Sequence, residues 1–141
     1  MTLHLFMASI QHTGPIVVVD DDHDDFLLFR DAYVDSKCER SLLHYDDPLK
    51  FLEYLWTTKV ENYPSLVILD YNMPVVHGKQ ILKEVRSLSK FETIPFIILS
   101  TGNGERERKE FLRIGANGCY TKPQDHASLV KVVIELMNTY C

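Results

Sequence analysis

The chain has 141 residues, 45% hydrophobic and 25% charged, which fits one globular domain able to bury roughly two thirds of its unfolded surface without extra staples. A formal charge of -5 with scattered Lys and Arg argues against a nucleic-acid partner, which needs clustered cations, and no run approaches the roughly 18 apolar residues of a membrane span. Three cysteines, Cys38, Cys119 and Cys141, have no Cys-x-x-Cys spacing and cannot all pair with one another, so a reducing cytoplasm is expected rather than a disulfide framework.

Met1 to Gly14 carries Leu3, Leu5, Phe6 and Ile10 but no Lys or Arg, so it lacks the charged start of a signal peptide. It reads as a leader, a tail or an expression remnant, with one domain over 15–141. Nothing repeats, and no Gly/Ser or Pro-rich linker divides the chain.

From Pro15 onward, short continuous apolar runs alternate with helical periodicity, the pattern of a parallel sheet covered on both faces. The first strand is Ile16 to Val19, followed by a helix with Phe26, Leu27, Phe29, Arg30 and Tyr33 on one stripe. Leu42 to Tyr45 is the second strand. Pro48 opens the next helix, where its missing N–H is no loss, and Leu49, Leu52, Leu55 and Trp56 are its expected buried face. Leu66 to Leu69 is the third strand, and Gly78 to Leu88 a helix with Ile81, Leu82 and Val85 inward. Phe96 to Leu99 is the fourth strand, and Glu105 to Ile114 the fourth helix, its charged run Glu105 to Glu110 expected to form i to i+4 pairs and Gly115 to cap it. Gly118 to Thr121 is the fifth strand, and Asp125 or Ser128 caps a last helix through Leu129, Val132, Val133, Leu136 and Met137. The expectation is a five-stranded doubly wound α/β domain.

In such sheets ligands bind beyond the carboxyl ends of the strands, at the switch point of the topology. Here those ends deliver Asp20 and Asp21, Asp70, Ser100 and Lys122. Three carboxylates brought together repel unless protonated or neutralised by a cation. Few, hard oxygen ligands suit Mg²⁺, with Mn²⁺ as a substitute, better than zinc or a closed calcium cage. A phosphoryl group in transfer spreads charge over three oxygens. The metal, the Lys122 ammonium and the Ser100 hydroxyl or a backbone N–H can each take one, leaving a carboxylate free to attack and form an acyl phosphate.

At these residues the chain resembles the receiver domains of two-component response regulators, particularly the single-domain kind. The match comprises VVVDDD at Val17 to Asp22, LDYNMP at Leu69 to Pro74 followed by Gly78, LST at Leu99 to Thr101, and TKP at Thr121 to Pro123, spanning Pro15 to about Asn138. The resemblance implies the flavodoxin-like strand order 2-1-3-4-5. It implies that Asp70 accepts a phosphoryl group from a phosphohistidine on a sensor histidine kinase or histidine phosphotransfer protein. Asp21, Asp70 and the backbone carbonyl of Asn72 would ligate Mg²⁺ directly, and Asp20 mainly through water. Ser100, favoured over Thr101 by the family's spacing, would be the switch hydroxyl, and Lys122 would pair with the phosphoryl group before a cis bond to Pro123. An unknown downstream protein would read the change, with no attached output domain; a phosphoryl shuttle or sink is the alternative within the fold. Cys119 stands where such domains usually carry an aromatic, with Tyr120 on the opposite face, and Gln124 follows Pro123 where an aromatic is common.

Other readings are weaker. A haloacid-dehalogenase-like phosphatase would use Asp20 and Asp22 as its Asp-x-Asp pair, but would carry Thr or Val at Asp24, a cap and a later acidic pair. An EF-hand on Asp20, Asp22 and Asp24 would need Gly at Asp25. A flavodoxin-like carrier would want a hydroxyl-rich first loop. Asp22 or Asp24 alone reads as a turn former or helix cap. The histidines at 4, 12, 23, 44, 77 and 126 share no ligand spacing and default to surface or loops, and Trp56 reads as core.

Overall fold

Each of the five apolar runs forms a strand. In the computed structural model, which describes residues 11–71, 78–101 and 104–141, the strands are β1 (Ile16–Val19), β2 (Leu42–Tyr45), β3 (Leu66–Asp70), β4 (Phe96–Ser100) and β5 (Gly118–Thr121). The helices are α1 (His23–Asp35), α2 (Pro48–Thr57), α3 (Gly78–Arg86), α4 (Glu105–Ile114) and α5 (His126–Tyr140). All strand pairs are parallel, in the order β2-β1-β3-β4-β5. No helix of the described residues is long and apolar enough to cross a membrane.

Strand side chains alternate between faces, so each central strand feeds two cores. Val17, Val19, Val67, Leu69, Phe96 and Ile98 pack with Phe51, Leu55, Ile81, Leu82 and Phe111 from α2, α3 and α4. Ile16, Val18, Leu66, Ile68, Ile97 and Leu99 pack with Phe29, Ala32, Leu129, Val133 and Leu136 from α1 and α5. The chain moves outward once, from β1 to β2, then returns past β1 to β3. Right-handed crossovers therefore set α1 on the face opposite α2, α3 and α4.

The caps follow the sequence chemistry. Asp22, Asp47 and Asp125 accept backbone N–H bonds at the starts of α1, α2 and α5. Gly115 ends α4 at φ 125°, a conformation open to glycine.

Several expectations are corrected. The buried set of α2 is Pro48, Phe51, Leu52 and Leu55, at i, i+3, i+4 and i+7, while Leu49 and Trp56 flank that stripe and are 58% and 46% exposed. Arg30 is likewise exposed, one helical step from buried Phe29, with its guanidinium 3.8 Å from Asp31. Glu110 pairs with Lys79 across to α3 at 2.5 Å. The bond before Pro123 is trans, the form an X–Pro amide prefers by about 0.5–1 kcal/mol.

The cysteines depart furthest from expectation. Cys38 and Cys141, 103 residues apart, form a disulfide, and Cys119 is buried and outside it. Short-range spacing carries no sign of this pair. It arises because α1 and α5 pack side by side, which brings the residue after α5 to the loop that leaves α1. Nearby, the segment preceding β1 lies against the domain: Ser65 Oγ donates to the carbonyls of His12 and Gly14 at 3.0 and 2.6 Å.

Candidate functional site

The sheet's own hydrogen bonds place the polar strand-end residues. Beyond the pair Val19 and Leu69, the Asp20 amide donates to the Tyr45 carbonyl at 3.0 Å. The Tyr71 amide donates to Leu99, and the Lys122 amide to Ser100 at 2.7 Å. Asp20, Asp70, Ser100 and Lys122 thus share one edge at the β1–β3 switch point, held by backbone they cannot easily leave.

Asp20, Asp21 and Asp70 each offer a carboxylate oxygen, and these atoms lie within 4.8 Å of one another. Asp20 and Asp70 are buried and Asp21 is exposed, so the cluster opens to solvent on one side. That opening is lined by Asp21, Asp22, His23, Asp25, Asp70, Thr101 and Lys122. Asn72 lies outside the described residues.

Lys122 Nζ lies 2.7 Å from Asp25 Oδ2, 3.2 Å from Asp20 Oδ2 and 3.7 Å from Asp70 Oδ1. One ammonium therefore faces carboxylates of Asp20, Asp25 and Asp70, with Asp21 alongside. Burial pushes the Asp20 carboxyl up to about 6, and the charge of Asp70 adds to it, against the pull of the Asp22 N–H at 2.9 Å and of Lys122. Burial pulls Lys122 down, but the hydrogen bond to Asp25 and the charges of Asp20 and Asp70 outweigh it and hold the lysine above its ordinary range. Lys122 stays charged, but a single ammonium facing several carboxylates leaves the site with an excess of negative charge. A divalent cation among oxygen donors would relieve it, so these residues fit a hard dication.

Ser100 is buried, and its Oγ has no hydrogen-bond partner among the described residues. Thr101, one residue on, is exposed at the mouth. A buried hydroxyl at this strand end can donate to a group bound beside the carboxylates.

Two contributors escaped the sequence reading. Asp25 is the third residue of α1, and helical side chains lean back toward the N-terminus, which carries its carboxylate over the strand ends. The spacing from the capping Asp22 held that hint. His44 is not a surface histidine: from β2 its Nε2 lies 2.7 Å from the Asp20 carbonyl oxygen, and its ring stacks on Phe26 at 4.0 Å. Cys119 and Tyr120 do face opposite cores, as alternation requires.

Gly78 brings α3 against the end of β3. A Cβ there would stand 3.0 Å from the Asp70 carbonyl oxygen and 3.4 Å from Tyr71 Cα.

Comparison with known proteins agrees with this geometry. The profile of the response regulator receiver domain matches residues 16–134. An uncharacterized 14.6 kDa protein of Leptolyngbya boryana is 34% identical over 119 residues, covering 84% of this chain and 86% of its own. Response regulator Rcp1 of Synechocystis is 26% identical over 121 residues, covering 84% and 82%. The crystal structure of the Mn²⁺-bound form of response regulator Rcp1 superimposes with a TM-score of 0.76 at 24% identity, covering 87% of this chain and 91% of that one.

Proposed function

The chain belongs to the response regulator receiver domain family, and from that membership we propose that it is a phosphoacceptor switch whose input is a phosphoryl group on Asp70. The observation that carries this reading is the position of the Asp70 carboxylate, clustered with Asp20 and Asp21 within 4.8 Å and facing the Lys122 ammonium at 3.7 Å. Receiver domains are signalling modules that work with histidine kinases or phosphotransfer proteins. The donor here is a phosphohistidine on such a protein, and the domain, over 15–141, acts in the cytoplasm.

In the reaction an Asp70 oxygen attacks phosphorus, the P–N bond breaks, and its electron pair returns to the imidazole. Asp21, Asp70 and the Asn72 carbonyl would hold Mg²⁺, or Mn²⁺ in its place, with Asp20 acting through water. When bound there, the metal supplies positive charge to the phosphoryl oxygens. Lys122 takes a second oxygen, and the buried Ser100 hydroxyl, with no partner among the described residues, donates to the third. Phosphorylation adds roughly -1.5 to -2 charges at Asp70. Ser100 and the start of α4 move toward them, and a downstream protein reads the change. Slow hydrolysis by water returns the carboxylate.

Phosphotransfer profiling tests this directly. The chain, incubated with Mg²⁺ and each phosphorylated histidine kinase or phosphotransfer protein of its source, takes label rapidly from one of them. Uniformly slow transfer from all would contradict the reading. Onward passage of the label to a second histidine protein would identify a shuttle or sink instead of an output switch.

A further inference from the structure

The lysine of this site is held most tightly by a carboxylate that has no part in the chemistry above. Lys122 Nζ donates to Asp25 Oδ2 at 2.7 Å and to Asp20 Oδ2 at 3.2 Å, while Asp70 Oδ1, at 3.7 Å, lies beyond hydrogen-bond reach. The contact joins residues 97 apart in sequence and ties the first turn of α1 to the end of β5.

An acidic residue in the first turn of a helix has an ordinary explanation, since it complements the helix dipole. That explanation holds equally for Asp24, which precedes Asp25 in the same turn and is exposed. It does not require a partner on β5. Asp25 differs in being partly buried beside the crevice lined by Asp20, Asp70, Lys122 and Pro123. The Asp22 cap accepts its amide at 3.1 Å, which fixes the backbone from which the carboxylate reaches Lys122.

We propose that Asp25 is a positioning residue that holds the Lys122 ammonium away from Asp70 in the unphosphorylated protein and yields it when a phosphoryl group arrives; the inference rests on the function proposed above. A carboxylate carries one negative charge, whereas a phosphoryl group on Asp70 brings roughly -1.5 to -2 and three strong acceptors. The ammonium therefore exchanges Asp25 for the phosphoryl group. The Asp25 bond stabilises only the resting state, so it sets how strongly an incoming phosphoryl group must compete for the lysine. An interaction present in one of two states shifts the equilibrium by its full differential strength.

Beryllofluoride, a phosphoryl mimic whose binding with Mg²⁺ can be read at equilibrium, supplies the test. Calorimetric titration of Asp25→Asn should give a Kd about three- to tenfold lower than that of the unaltered chain, as expected for loss of a partly exposed charged pair. Asp25→Glu, which retains a carboxylate, should restore most of the original value. Asp24→Asn removes the same charge from the same turn without touching Lys122 and should leave Kd within about twofold. Asp25→Ser repeats the measurement should asparagine disturb the helix, and thermal melting establishes that each variant is folded. An unchanged Kd in Asp25→Asn and Asp25→Ser, or an equal shift in Asp24→Asn, would overturn the positioning role. If the unaltered chain binds no beryllofluoride and accepts no phosphoryl group, the proposed function itself fails, and the role of Asp25 with it.

Discussion

Gly78 and Asp70 meet backbone to backbone: a Cβ on Gly78 would sit 3.0 Å from the Asp70 carbonyl oxygen. Alanine at an unobstructed helical position normally stabilises a protein by about 0.4–1 kcal/mol. Here the close neighbour is main chain, which gives way less easily than the tip of a side chain. Gly78→Ala should therefore destabilise the fold by about 1–3 kcal/mol in urea denaturation, and slow phosphorylation of Asp70 by displacing its strand end. A stabilised variant would show that α3 can back away.

Asp20 gives the metal-free protein an unusual pH dependence. Its folded pKa, about 6, lies above the ordinary 3.8, so the folded state binds the proton more tightly than the unfolded chain. The stabilisation this provides is complete below about 4 and is lost as pH rises through about 6, an effect on the order of 3 kcal/mol. Without metal, Asp20→Asn should be more stable than the unaltered chain at pH 7.5, and the gap should close near pH 4. Mg²⁺ should bind more weakly below pH 6 and release protons on binding near that pH, measured by titration in two buffers of different ionisation enthalpy.

The buried hydroxyl of Ser100, with no partner among the described residues, predicts a separation of stability from switching. Ser100→Ala removes no hydrogen bond seen among those residues, so it should change stability by less than about 1 kcal/mol. The same variant should lose much of the conformational response to phosphorylation, read as amide shift changes at the start of α4. A large loss of stability would mean that Ser100 Oγ is satisfied at rest.

The disulfide between Cys38 and Cys141 closes a long loop between residues 103 apart in sequence. Reduction, or the pair of changes to serine, should cost about 2–5 kcal/mol by the loop-closure argument. Under denaturing, non-reducing conditions the oxidised protein should titrate one thiol, Cys119, and three after reduction. In a reducing cytoplasm the pair would stand as thiols and that stability would be forgone. Three thiols before reduction would show that the bond does not form.

The layered fold was legible because its signals are local. Runs such as IVVV and FIIL mark strands buried on both faces, and Asp22, Pro48 and Asp125 mark helix starts. The strand-end site was legible because topology brings those ends together whatever the packing detail. What stayed hidden depends on how elements lean on one another. Asp25 meets Lys122 only through the tilt of a side chain on the first turn of α1. The Cys38–Cys141 pair depends on α5 lying beside α1, which no short-range spacing encodes. Trp56 was misplaced for a simpler reason: one helical step separates the buried stripe from its flank, and hydrophobicity alone does not choose between them.

The central claim is tested most directly by incubating the chain with Mg²⁺ and acetyl phosphate and mapping the product by peptide mass spectrometry after borohydride trapping of the acyl phosphate. One phosphoryl group on Asp70, absent without metal and absent in Asp70→Asn, is the predicted result. Equal labelling of Asp70→Asn, or trapping at Asp20 instead, would contradict it.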